Sequence, residues 1–196
     1  TDNDGNVFLH NGNRVQLTGQ NSYYGEFSKI LLLNRGVHEP LEEFCFQETL
    51  KKVKDPKPLM IELGAYWAHY SMWFLKKFPG AKCFLIEESA AGMNVGRHNF
   101  ATNNFINGEF INSKVSKDEF NIDTFSKEKK VKEVTILHSD IQGWELEMLD
   151  GAENFLARHG AKYIFLSTHS QEIHQEAEER LEKFGYVIEV SSDFDY

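Results

Sequence analysis

One glycine and a few acids stand where a nucleoside ligand would need them. Gly64 ends the apolar run "LMIEL" (59–63), and Glu87 ends the run "KCFLIE" (82–87), 23 residues beyond it. An acid at the end of a second strand, one strand after a glycine turn, is placed to accept hydrogen bonds from both ribose hydroxyls of a nucleoside. A surface carboxylate after a strand is the alternative for Glu87 alone, and the glycine turn favours the ribose. Other polar residues also follow apolar runs: Glu62 beside Gly64, Glu88 beside Glu87, Ser113 and Ser116, Asp140, and His169 among Ser167, Thr168 and Ser170.

The turn itself, "ELGAYWAHYS" (62–71), is crowded. It holds one glycine, Gly64, and after that glycine come Tyr66, Trp67, His69, Tyr70 and Trp73. A dinucleotide seats its pyrophosphate on a helix N-terminus and needs G-x-G-x-x-G there. That fingerprint is missing, which opposes a nicotinamide-dependent oxidoreductase. S-adenosylmethionine carries no phosphate. Glu62 is expected near its ammonium, the turn of Gly64, Ala65 and Tyr66 near its methionine end, and Glu87 with Glu88 at its ribose. Ser116 is expected on the cofactor from the third strand end. Tyr66 or Trp67 is placed to face the sulfonium as a cation–π partner, although an aromatic beside a strand is more often a core residue.

Proton removal from an acceptor needs a base, and His169 has the side chain that titrates nearest neutrality. Asp140 either orients His169, binds the acceptor or caps the next helix; the sequence leaves all three open. Asp140, His169, Glu172 and His174 are metal-ligand types, but no spacing among them marks a dedicated site, and no metal is expected.

These residues need a scaffold that brings strand ends together. Apolar runs at 59–63, 82–87, 109–115, 133–139, 162–168 and 186–190 predict six strands. Helical patterns lie between them, with a capping-box spacing at Asp150 and Glu153 and a C′ glycine at Gly160. The last helix places Ile173, Ala177, Leu181 and Phe184 on one face and stops at Gly185. "EPLEEFCFQETLKKV" (39–53) predicts an earlier helix with Pro40 in its first turn, and "NVFLH…RVQLTG" a hairpin around Asn11-Gly12. Residues 20–38 read as a short strand or helix. Continuous apolar strands alternating with helices give a doubly wound α/β fold with a mostly parallel sheet and an N-terminal β-hairpin and helix extension. The expected division is an extension over 1–38 and an α/β domain over 39–196.

The chain resembles the FkbM-type family of S-adenosylmethionine-dependent methyltransferases over about residues 36–190. "ELGAYWAHYS" is similar to the family's D-V-G-A-N-x-G-x-x-S, "IEE" to its F-E-P, and "GRHNFATNN" (96–104) to its helix with spaced asparagines. "SDIQGWELEMLDGAENFL" matches K-x-D-V-E-G-x-E-x-x-x-L-x-G-A, and "GVHEP" (36–40), which holds Glu39, resembles the segment that packs near the cofactor. Ala68 stands in place of the second glycine, Tyr66 in place of Asn, and Gln142 in place of Glu. The resemblance implies a Rossmann-like class I methyltransferase fold, S-adenosyl-L-methionine as cofactor, and O-methylation of a small-molecule or saccharide hydroxyl. It also implies a sheet closed by a terminal hairpin, with a seventh strand in the last few residues if the chain contains it. The alternative is a non-catalytic nucleoside-binding or assembly module in which Tyr66 and Ala68 mark a lost pocket.

Bulk properties narrow the partners. A formal net charge of −9 over 196 residues opposes binding to a phosphate backbone, so no nucleic-acid partner is expected. No apolar run approaches the roughly 18 residues of a membrane span, so no membrane partner is expected either. Two cysteines, Cys45 and Cys83, sit in apolar segments and read as reduced thiols in a cytoplasmic protein. Oligomeric state is not legible.

Overall fold

The computed structural model describes residues 1–23 and 25–193. The N-terminal hairpin pairs β1 (Asn6–Phe8) with β2 (Arg14–Gln16), antiparallel, with Val7 opposite Val15. A 3-10 turn (Gly25–Lys29) and the short α1 (Ile30–Leu33) follow, so residues 20–38 are helical where they are regular. Next come α2 (Pro40–Lys52), β3 (Leu59–Leu63), α3 (His69–Lys77), β4 (Lys82–Glu87), α4 (Ala90–Thr102) and β5 (Gly108–Asn112). The chain continues through α5 (Ile122–Glu128), β6 (Val134–Asp140), α6 (Glu145–Asp150), α7 (Glu153–Ala157), β7 (Ala161–Ser167) and α8 (Gln171–Lys183).

The main sheet has five strands in the order β5-β4-β3-β6-β7, every pair parallel. Strand order reverses between β3 and β6, which leaves a crevice at their carboxyl ends. Side chains alternate across each strand. Ile61, Leu63, Phe84, Ile86 and Leu137 pack against α5 to α8 on one face. Met60, Cys83, Leu85 and Ile136 pack against α2, α3 and α4 on the other, joined by Val7, Leu9 and Val15 of the hairpin. The same parity sends Glu62, Glu87, His138, Asp140 and Ser167 to this second face, at the carboxyl end of the sheet. The hairpin is also tied to α4, where Asn103 Oδ1 accepts the Arg14 N–H at 2.8 Å and Asn103 Nδ2 donates to the Arg14 carbonyl at 2.7 Å.

Three local expectations differ from the structure. Residues 186–190 form no strand and make no ladder with β7; Glu189 instead meets Lys52 at 2.9 Å and Ser191 meets His174 at 3.0 Å. Residues 191–193 are also irregular, and any strand over 194–196 lies outside the described residues. Asp150 caps nothing, because α6 runs through it and its carboxylate meets Arg180 at 2.5 Å. The left-handed residue that ends α7 is His159 (φ 55°), not Gly160; Gly160 is the next residue, and its N–H closes the turn on the Phe155 carbonyl at 2.8 Å. Gly185 (φ 85°) does end α8, with Tyr186 N–H on the Leu181 carbonyl at 3.0 Å.

Candidate functional site

The crevice is built on one close approach. Gly64 leaves β3 with φ 72°, and a Cβ there would lie 1.8 Å from the Asp140 carbonyl oxygen at the end of β6. Only glycine lets the two strand ends meet, and their meeting divides the crevice into two cavities. Gly64, Tyr66, Asp140 and Gln142 line both.

The first cavity, about 470 Å³, lies over β3, β4 and β5. Glu87 at its floor is buried and organised by backbone: Oε2 accepts the Tyr66 N–H at 3.0 Å and Oε1 the Ser89 N–H at 2.8 Å. Asn112 holds the neighbouring chain by donating to the Glu87 and Glu88 carbonyls at 2.8 and 2.9 Å. Each Glu87 oxygen keeps a lone pair for a further donor. Glu88, Ser89, Ser113, Lys114 and Val115 complete that end, and the Lys114 ammonium sits 3.2 Å from the ring centre of Trp144 at the rim.

The turn between the cavities is left-handed at Tyr66 (φ 36°) and again at Ala68 (φ 63°), the N-cap of α3. Such angles disfavour any residue with a Cβ, by about 1–2 kcal/mol each. Packing fixes them: the Asn99 amide donates to the Trp67 carbonyl at 3.0 Å, and Trp67 stacks on His69 with ring centres 4.7 Å apart.

The second cavity, about 300 Å³, opens over β3, β6 and β7 beneath the segment before α2. Its walls are dense with ionisable groups, and each histidine faces a carboxylate. His38 Nδ1 lies 3.3 Å from Glu39 Oε2, which also accepts the Tyr70 hydroxyl at 3.0 Å. Burial raises the Glu39 carboxyl, but these two partners outweigh it and hold the group below its ordinary value. His138 Nε2 lies 2.6 Å from Glu42 Oε1, and Glu42 Oε2 accepts the Ser167 hydroxyl at 2.9 Å. Burial lowers His138, yet the Glu42 charge prevails and the imidazole stays above its ordinary value. Glu62 is fully buried and accepts the Ser71 N–H at 3.0 Å; desolvation raises it.

Behind this wall Glu43 gathers the His38 and Glu39 N–H groups, at 2.7 and 3.2 Å, with His10 at 2.6 Å and His69 at 3.1 Å. Burial opposes its charge, but His69 and the two amides hold it at about 2. His69 is lowered by its own burial.

At the β6–β7 end, His169 stands between two carboxylates. Nε2 lies 3.3 Å from Asp140 Oδ1 and Nδ1 lies 2.7 Å from Glu145 Oε1. Desolvation raises Asp140 against the attraction of His169. An imidazole and two carboxylates thus meet at the edge of the second cavity, with Asp140 shared between the two cavities.

The residues expected from sequence fall into two sets. Glu87, Glu88, Gly64 and Tyr66 line the first cavity, and Glu39, Glu62, Ala65 and His169 the second, with Gly64, Tyr66 and Asp140 shared. Ser116 is not among the lining residues; its hydroxyl accepts the Glu119 N–H at 3.2 Å, and Ser113, Lys114 and Val115 line that edge instead. Sequence reading missed Glu42, Glu43 and Glu145. The two α2 acids read as first-turn helix charges, while His138 inside the apolar "EVTILHS" was a signal that a buried partner must exist. Among the described residues, no group of three or more His, Cys, Asp or Glu is arranged to hold a metal ion, and no helix is long and apolar enough to cross a membrane.

The profile of the methyltransferase FkbM domain matches residues 13–188. Among solved structures, the chain is similar to a precorrin-6y C5,15-methyltransferase from Geobacter metallireducens GS-15 at 18% identity and a TM-score of 0.56, covering 72% of this chain and 71% of that one. It is also similar to a ribosomal protein L11 methylase from Lactobacillus delbrueckii subsp. bulgaricus at 13% identity and a TM-score of 0.56, covering 81% and 76%. A methyltransferase FkbM from Methylobacillus flagellatus KT overlaps 67% of this chain and 38% of its own, at 17% identity and a TM-score of 0.46. No curated protein matches. The two higher-scoring likenesses place the five-strand sheet in the Rossmann-like methyltransferase fold.

Proposed function

The chain belongs to the FkbM methyltransferase family, and on that premise we propose that it methylates a hydroxyl of an uncharged small molecule or saccharide. S-adenosylmethionine is the cofactor. The observation that carries the reading is the pair of cavities joined at Gly64, Tyr66, Asp140 and Gln142. One offers a buried acid to a ribose, and the other offers a base to an acceptor.

The residues fit that cofactor. Gly64 keeps the turn open where a Cβ would close it, and Glu87 retains acceptor capacity after its two backbone bonds. Glu87 and Glu88 would hold the ribose, residues 113–115 and Ile141 the base, and the turn at Gly64, Ala65 and Tyr66 the methionine end, with Glu39 and Glu62 behind it. Bound there, S-adenosylmethionine supplies a sulfonium methyl whose C–S bond breaks as the C–O bond forms, leaving a neutral thioether and one proton to remove from the acceptor.

His169 takes that proton, and Asp140 accepts a hydrogen bond from the acceptor beside it. The second cavity favours a neutral acceptor because none of its described lining residues is Lys or Arg, and each of its histidines already faces a carboxylate. An anionic acceptor would meet the carboxylates of Glu39 and Asp140 with no Lys or Arg among the described lining residues to offset its charge. The free thiols Cys45 and Cys83 fit a reducing, cytoplasmic setting.

The test is transfer of labelled methyl to a panel of neutral saccharides, polyols and phenols and their phosphorylated counterparts. Transfer to neutral hydroxyls, reduced about 100-fold or more in His169→Ala, is expected. Preference for the phosphorylated members, or cofactor binding with no transfer to any member, would contradict the reading.

A further inference from the structure

One buried carboxyl lines neither cavity. Glu145 opens α6 and is 0% exposed, whereas the His169 ring it touches is 30% exposed. The chain reaches this position through two left-handed residues after β6, Gln142 (φ 55°) and Gly143 (φ 98°). That double turn brings the Glu145 side chain back under the strand ends, where Oε1 accepts the Gly143 N–H at 3.0 Å and lies 2.7 Å from His169 Nδ1. The other oxygen, Oε2, is buried with no hydrogen-bond partner among the described residues. Desolvating a carboxylate and leaving half of it unsatisfied costs stability, so a packing role explains Glu145 poorly.

The two carboxylates flanking His169 differ in kind. Asp140 is 33% exposed, lies at the longer distance of 3.3 Å, and faces both cavities. It can yield its contact to an incoming hydroxyl. Glu145 is enclosed and closer, and no acceptor reaches it.

We propose that Glu145 is the positioning residue of His169: its carboxylate takes the hydrogen bond of the Nδ1 proton at 2.7 Å and thereby fixes the ring with Nε2 toward the cavity, where Asp140, at the longer 3.3 Å, turns to the acceptor hydroxyl and leaves Nε2 its lone pair. This rests on the reading in which His169 is the base. A base must hold its lone pair, not its proton, toward the acceptor, and a buried acid on the far nitrogen selects that tautomer. Once Nε2 has taken the acceptor proton, the same carboxylate faces the imidazolium that forms. Asp140 is then left to hold the acceptor, which resolves the three roles the sequence allowed it.

The test needs no acceptor. Long-range ¹H–¹⁵N correlation spectra of the intact chain, with and without S-adenosylhomocysteine, report the His169 tautomer at the alkaline end of a titration and the Nδ1 proton signal. The expected result is an Nδ1–H ring in the wild type with its proton far downfield. In Glu145→Gln that signal moves upfield or disappears, and in Glu145→Asp it is partly restored. S-adenosylhomocysteine affinity stays within about twofold throughout, because Glu145 itself lines neither cavity. An Nε2–H ring in the wild type would overturn the proposal even if no variant folded. An unchanged Nδ1 signal in a folded Glu145→Gln would do the same. Loss of cofactor binding by the wild type would instead count against the methyltransferase reading, so the two failures are separable.

Discussion

The two cavities share four residues and are made differently. The first is a backbone construction: a glycine turn, two N–H groups fixed on Glu87 and the segment at 113–115 that follows β5. The second is a side-chain construction, with acids from α2 and α6 reaching histidines on β6, α3 and the loop after β7. Backbone geometry suits a ligand that every member of a fold must hold. Side-chain networks can change at little cost to the sheet, which suits a varying acceptor.

The largest expected effect lies where the cavities meet. Gly64→Ala places a Cβ 1.8 Å from the Asp140 carbonyl at a φ of 72°. It should cost about 4 kcal/mol or more in denaturant unfolding. A cost below about 1 kcal/mol would mean the strand ends are free to part, and the contrast between the cavities would lose its structural basis.

The side-chain half is sharpened by pH. Glu43→Gln should cost about 3 kcal/mol at neutral pH, because it leaves a buried network without its anion. The folded value of Glu43 is depressed to about 2 from 4.5. Its contribution is therefore full above pH 4.5 and is lost as the pH falls toward 2, and over that range the variant and wild type should converge. His138 has the opposite sign: its folded value is raised above 6.5 by Glu42. That contribution is full below 6.5 and fades as the pH rises through the raised value, so Glu42→Gln should differ least at alkaline pH. Parallel unfolding curves at all pH values would reduce both networks to packing.

The smallest effect is a gain. Ala68 holds φ 63°, where glycine meets no steric penalty. Ala68→Gly should stabilise the chain by about 1 kcal/mol, the relief of strain less the added freedom of the unfolded chain. A loss of stability would show that the Ala68 methyl, fully buried against α4, matters more than its backbone.

The same division explains what could be read in advance. Five strands, the Gly64 turn and Glu87 were legible because each depends on neighbours in the chain: an apolar run, a turn residue, a fixed interval to the next strand end. Glu42 was not, since its partners His138 and Ser167 lie 96 and 125 positions away. Glu145 sat inside the matched segment "SDIQGWELEMLDGAENFL", but only the left-handed pair at Gln142 and Gly143 aims it at His169. Residues 186–190 misled for the converse reason. Their apolar pattern suits a strand, but they make no ladder with β7, and a strand exists only where a ladder forms.

The most direct measurement is calorimetric titration of the chain with S-adenosylmethionine and S-adenosylhomocysteine, with NADH as control, repeated on Glu87→Ala. Binding in the micromolar range for the first two and none for NADH is expected, weakened about 100-fold in the variant by loss of hydrogen bonds to a charged group. No binding of either to the folded wild type, or equal binding to Glu87→Ala, would contradict the assignment of the first cavity to the cofactor.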